Sequence, residues 1–175
     1  PTRSKWEPDW RKLEGWRFVL WHLHFILCGG HPKAYEYAMQ WFAYCIQKRQ
    51  KPATIVVFYG SQGVGKSAIV SINKSGDGIL PRVLGGIDGY FQTCSNIEHV
   101  LEDLNADSLN KLFCCLEEAT PYKKGHRNND QLGVLIANQV MCVESKSLDP
   151  LYVNDHPAFC SCTNNRDAFK VADGD

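Results

Sequence analysis

Eight residues, Gly60-Ser61-Gln62-Gly63-Val64-Gly65-Lys66-Ser67, constrain this chain more than any other stretch. They follow Thr54–Tyr59, which reads TIVVFY, an uncharged β-branched and aromatic run of the kind buried in parallel sheets. A helix is expected to start near Gly65. The octet fits G-x-x-x-x-G-K-[ST], and each part has a physical reason. Gly60, Gly63 and Gly65 let the backbone adopt positive φ and approach an anion closely. The loop N–H groups, including those of Ser61, Gln62 and Val64, face that anion together with the helix N-terminus. Lys66 is expected to bridge terminal phosphates, and the Ser67 hydroxyl to ligate Mg²⁺. ATP with Mg²⁺ is the default ligand, although the loop alone does not say what the nucleotide is used for.

Two further apolar runs end in polar side chains. Lys111–Leu116, KLFCCL, reads as a buried strand running into Glu117-Glu118. Nucleotide hydrolysis needs one carboxylate near the metal and another to polarise the attacking water. Side chains of adjacent residues diverge at a strand end, so Glu117 is assigned to the metal and Glu118 to the general base. Ala158–Thr163 reads as a third core strand, ending in Asn164-Asn165. Asn164 is expected to hold the lytic water, a weak signal alone that gains from its order after the loop and the acidic pair. Strands alternating with helices give an α/β sheet.

The chain has 175 residues, with 19 Lys+Arg against 19 Asp+Glu. This balance argues against a wholly basic nucleic-acid binder. The charge is uneven: residues 1–53 hold 9 basic and 4 acidic side chains, and all five Trp fall in that part. A helical N-terminal segment over 1–52 and a core over 53–175 are therefore expected. Leu13, Trp16, Leu20, Leu23 and Leu27 recur at helical spacing before Gly29-Gly30. A second helix opens at Pro32 and closes before Pro52, with Lys48, Arg49 and Lys51 near its end, where they complement the helix dipole. Its aromatic stripe is expected to pack in the core rather than stack on bases. Residues 73–89 read as a Gly-rich loop, Ser95–Leu104 as a capped helix, Asp130–Asn138 as a short helix, and Val140–Glu144 with Leu151–Asn154 as a hairpin.

Eight cysteines without C-x-x-C or a regular frame fit reduced thiols and an intracellular protein. No Cys/His spacing suggests zinc, and His22 and His24 lie two apart in a helix, too divergent to share a metal. The longest apolar run, Phe18–Cys28, is 11 residues and too short to span a bilayer, so no membrane partner is expected. A start at Pro1 reads as an excised piece of a longer protein.

Taken in order, these motifs resemble the superfamily 3 helicases, a viral and plasmid branch of the AAA+ ATPases, and most closely the poxvirus-type primase–helicases of large DNA viruses and phages. Tyr37–Lys51, YAMQWFAYCIQKRQK, followed by TIVVFYGSQGVGKS, is similar to that family's approach to its phosphate loop. LFCCLEEA at Leu112–Ala119 is similar to its second motif, and SCTNN at Ser161–Asn165 to its third. Glu117 stands where many relatives have Asp. The resemblance covers about residues 30–171.

The resemblance implies a P-loop NTPase core of AAA+ type with a parallel sheet, preceded by a small helical collar and truncated at its C-terminal end. It implies a replicative DNA helicase that couples ATP hydrolysis to translocation along single-stranded DNA, as a homo-hexameric ring. The family's DNA-contacting hairpin corresponds to Leu132–Asn154, with Lys146 at the turn. Lys123, Lys124 and Arg127 form a nearby basic loop, read as ordinary polar surface or as an aid to DNA contact. The neighbour-completing arginine and the last core strand are expected to lie beyond Asp175, since Arg166 is too near Asn164 for that role. The other readings are a packaging or remodelling ATPase, and a nucleotide-binding fragment inactive by itself.

Overall fold

The computed structural model describes residues 9–73, 76–85, 89–95, 111–117, 132–138, 140–143, 151–153, 157–166 and 168–169. A 3-10 turn at Trp10–Lys12 precedes α1 (Trp16–Trp21), which continues as a π-helical turn over His22–Leu27. The π register shows in the Cys28 N–H, which reaches the Leu23 carbonyl at 2.9 Å. Gly29 and Gly30 then take φ of 61° and 73° and stop the helix. Helix α2 (Pro32–Lys48) starts with Pro at a position that needs no N–H donor. It ends at Arg49, a left-handed residue whose N–H caps the Cys45 carbonyl.

Strand β1 (Val56–Tyr59) leads to α3 (Ser67–Val70), a hairpin of β2 (Ile72–Asn73) and β3 (Gly76–Asp77), and α4 (Ile79–Val83). Strand β4 (Phe91–Cys94) and β5 (Phe113–Glu117) follow. A helical stretch over residues 132–137, called α5, comes next. The antiparallel pair β6 (Met141–Val143) and β7 (Leu151–Val153) precedes β8 (Ala158–Thr163). The main sheet is fully parallel, in the order β1-β8-β5-β4.

Both sheet faces are covered, as parallel sheets require. On one face Leu23, Trp41, Phe42 and Cys45 of the helical N-terminal segment share a core with Val56, Phe58, Phe91, Phe113 and Cys160. The Trp41 and Phe42 rings lie 5.9 and 6.0 Å from Phe113, so these two aromatics of α2 are core, while Tyr37 and Tyr44 are exposed. On the other face Leu132 and Ile136 of α5 cover Cys114, Leu116 and Phe159. Cys45, Cys114, Cys115, Cys160 and Cys162 are buried thiols, and burial pushes Cys45 up to about 12. Among the described residues no helix is long and apolar enough to cross a membrane.

Several expectations change. The stretch from residue 73 to 89 is not simply loop, because it holds part of the β2–β3 hairpin and α4. Strand β4 was not expected, since Gln92 and Thr93 interrupt its apolar pattern. The helix after the glycine loop lasts one turn. The chain leaves it because the Ser71 hydroxyl bonds the Glu117 carboxylate and the Ile72 N–H bonds Thr93 Oγ1 at 3.0 Å, and both ties pull it into extended backbone. Gly78 folds back on that turn so closely that a Cβ would stand 2.8 Å from the carbonyls of Ser67 and Ser71. The Ser95–Leu104 helix and the turn of the β6–β7 hairpin lie outside the described residues.

Lys51, expected to complement the helix dipole at the basic end of α2, is only 5% exposed and donates to the Leu135 carbonyl, tying the approach to β1 onto α5. Burial pushes its ammonium down from 10.5 to about 8. Below pH 8 the amine is charged in both the folded and the unfolded chain. Between pH 8 and 10.5 only the unfolded chain keeps its proton, so this group favours folding more as pH rises. The Lys51→Met variant lacks that gain. The unfolding free energy of wild type minus variant, from urea denaturation, is therefore expected to grow from pH 8 to 10; a difference flat with pH contradicts the buried placement.

Candidate functional site

Parallel pairing brings three strand ends to one edge of the sheet. Tyr59 pairs with Thr163 and Glu117 with Cys162, so Gly60, Asn164 and the Glu117 carboxylate emerge side by side. Ligand sites in open α/β sheets lie at such carboxyl ends. A cavity of about 340 Å³ opens there, lined by Gln62, Gly63, Gly65, Lys66, Ser67, Glu117, Cys162 and Asn164. That lies near the low end of ligand pockets, roughly 300–1,000 Å³.

Of the three loop glycines expected to allow positive φ, two adopt it and Gly60 does not. Gly63 and Gly65 both have φ of 84°, a conformation that disfavours any side chain. Among the described residues, the main-chain N–H groups of Gly63, Gly65, Lys66 and Ser67 meet no protein acceptor. Lys66 is 8% exposed. Its ammonium donates to the carbonyls of Gly60 at 2.7 Å and Ser61 at 2.9 Å, and to Asn164 Oδ1 at 2.7 Å. All three protons are used, and all three acceptors are neutral. Among the described residues no carboxylate stands within ion-pair distance of Lys66, so a buried cation lines the cavity without a direct ion pair. A buried cation beside amides without acceptors has the chemistry to take an anion.

Glu117 takes the Ser71 hydroxyl on Oε1 and lines the same cavity as Ser67. Two oxygen-bearing side chains beside an anion cradle suit a hard cation such as Mg²⁺, which keeps several waters and takes its other ligands from phosphate oxygens. Beside them Cys162 is inert. A hydrogen bond with Cys115, together with burial, holds its thiol well above the ordinary range, so it stays protonated. Asn164 is placed by the turn that follows β8, where the Asn165 N–H bonds Thr163 Oγ1 at 3.0 Å. Its Oδ1 is taken by Lys66, which leaves the amide NH₂ as its donor.

The structure thus brings together Gly60–Ser67, Glu117 and Asn164. Glu118 and Lys146 lie outside the described residues, as do Lys123, Lys124 and Arg127. Two partners were missed by sequence reasoning. Ser71 orients Glu117, and its position four residues after Ser67 was the available signal. His22 reaches the Gly65 carbonyl at 3.1 Å across 43 residues, and no local pattern announces it.

Residues 58–175 match the profile of a family of unknown function, DUF5906. The chain belongs to that family. No curated protein matches it. Among solved structures, the apo structure of the NrS-1 C terminal region (305–718) superposes with a TM-score of 0.71 at 16% identity, over 90% of this chain and 36% of that one. An A form apo structure of the same region gives 0.66 at 16% identity, over 90% and 35%. The DUF5906 chain therefore shares the fold of part of the NrS-1 region, and spans about a third of those structures.

The Ser71–Glu117 bond has a measurable weight. A hydroxyl-to-carboxylate bond at a partly solvated group contributes about 1 kcal/mol, and Ser71→Ala removes it with little change of volume. Urea unfolding is expected to register a loss of about that size. A variant as stable as wild type means that the bond does not form in solution.

Proposed function

We propose that this DUF5906 chain is the ATP-dependent motor core of a superfamily 3 type DNA helicase, built as a P-loop ATPase and working in replication beside a primase. The observation that carries the reading is the buried Lys66, which among the described residues is held by neutral acceptors, within a loop where Gly63 and Gly65 have positive φ. Parallel strands ending in the loop, in Glu117 and in Asn164 support it, as does the shared fold with the NrS-1 C terminal region.

In this reading Gly60–Ser67 wraps the phosphates of ATP. Lys66 leaves Gly60 and Ser61 for the terminal phosphate oxygens. Ser67 and Glu117 would hold Mg²⁺, which when bound would supply charge neutralisation at those oxygens. Ser71 keeps the Glu117 carboxylate aimed at the cavity. Glu118, next along from Glu117, polarises the attacking water, and the Asn164 amide holds that water in line. An arginine from a neighbouring subunit of a hexameric ring completes the site, the helical N-terminal segment serves as its collar, and Lys146 on the β6–β7 hairpin grips single-stranded DNA in the channel. A ring multiplies one lysine several-fold, which reconciles DNA contact with 19 basic and 19 acidic residues per chain.

Lys66→Ala is expected to abolish ATP binding, read by calorimetry, and turnover, read by phosphate release; unchanged hydrolysis rejects the site. Lys146→Ala is expected to weaken single-stranded DNA binding and leave ATP affinity intact, read by fluorescence anisotropy at fixed salt. Equal DNA affinity in the variant rejects the hairpin role.

A further inference from the structure

The peptide between Gly65 and Lys66 is gripped from outside the loop. His22 Nε2 lies 3.1 Å from the Gly65 carbonyl oxygen. A carbonyl only accepts, so Nε2 carries the proton and donates it. The Ala68 N–H reaches the same oxygen at 3.2 Å. With two donors on it, the carbonyl has a fixed direction. Among the described residues no peptide bond is cis, so the Lys66 N–H points to the opposite side of the peptide from the Gly65 carbonyl. The carbonyl faces His22, on the helical N-terminal segment, while Gly65 and Lys66 line the cavity.

The approach is close on every side. A Cβ on Gly65 would stand 2.8 Å from His22 Cε1 and 2.9 Å from Nε2. The loop needs glycine here for the ring as well as for its φ of 84°. Phe18, one turn earlier on α1, stacks on the imidazole at 6.1 Å. His22 is also the first residue of the π-helical turn, a distortion that often marks a functional position.

We propose that His22 is a positioning residue of the phosphate loop: by holding the Gly65 carbonyl it aims the Lys66 N–H into the cavity, so the helical N-terminal segment forms part of the anion site. The identity of the anion as a nucleotide rests on the reading above; the link between His22 and the loop does not.

The test uses the whole chain with His22→Leu, which lacks the donor, and His22→Gln, which keeps one. His22→Phe, which retains a ring against Phe18, is the second donor-free variant should leucine unfold the segment. Amide exchange of residues 60–68 is read without ligand, and Mg·ADP affinity is read by calorimetry. The donor-free variants are expected to exchange faster at Ala68, whose N–H shares the Gly65 carbonyl with His22, and to bind Mg·ADP about three- to tenfold more weakly, the weight of one hydrogen bond. His22→Gln is expected to restore both within about twofold. Unchanged exchange, faster exchange with unchanged affinity, or failure of glutamine to rescue each overturns the proposal. If wild type does not bind Mg·ADP, the nucleotide reading fails and the exchange comparison alone decides the role of His22.

Discussion

The position of β8 between β1 and β5 is the contact on which the site depends. Each of these strands carries one functional end, and only parallel pairing puts the three ends on the same edge. The register is narrow. Because Tyr59 pairs with Thr163 and Glu117 with Cys162, Asn164 falls next to Gly60 and two residues past the position opposite Glu117. A slip of one residue would turn Glu117 and Asn164 to the opposite sheet faces. The register is pinned from both sides. Cys160 belongs to the core under α2, Phe159 to the core under α5, and the Ser161 hydroxyl donates to the Leu116 carbonyl at 2.9 Å.

The parts of this arrangement that the sequence made legible are those where one strand carries its own signal. TIVVFY, KLFCCL and the run into SCTNN are each apolar stretches ending in glycine or a polar side chain, and each becomes a strand of the central sheet within two residues of its expected bounds. Pro32 and Gly29-Gly30 marked their helix boundaries for local reasons of φ and hydrogen bonding. What could not be read was set by distant partners. FQTC becomes β4 because β5 pairs with it, although half its residues are polar. Lys51 is buried because α5 offers it a carbonyl, and a basic residue at a helix end gives no hint of that.

The one-turn helix α3 is the clearest case of tertiary override. SAIVSIN after the loop has no proline or glycine to stop a helix. It stops because Ser71 and Ile72 are held by Glu117 and Thr93, from two neighbouring strands of the sheet. The same tie that shortens the helix orients the carboxylate. Helix length was therefore given up where site geometry was gained, and the β2–β3 hairpin returns through Gly78 to cover the shortened end.

Lys66 connects the strand ends electrically as well as sterically. Its ammonium joins the β1 exit, through Gly60 and Ser61, to the β8 exit, through Asn164. These are bonds from a cation to neutral oxygens. A bond from the same cation to an anionic oxygen adds the attraction of two opposite charges, which is larger where water is excluded. An anion entering the cavity therefore competes with its three acceptors from a favourable position, and each acceptor it displaces is returned to the loop or to Asn164. Occupancy of the cavity and the direction of the Asn164 side chain are thus coupled through one nitrogen. Since Asn164 follows β8 directly, that coupling reaches the strand paired with both β1 and β5 without needing any other moving part.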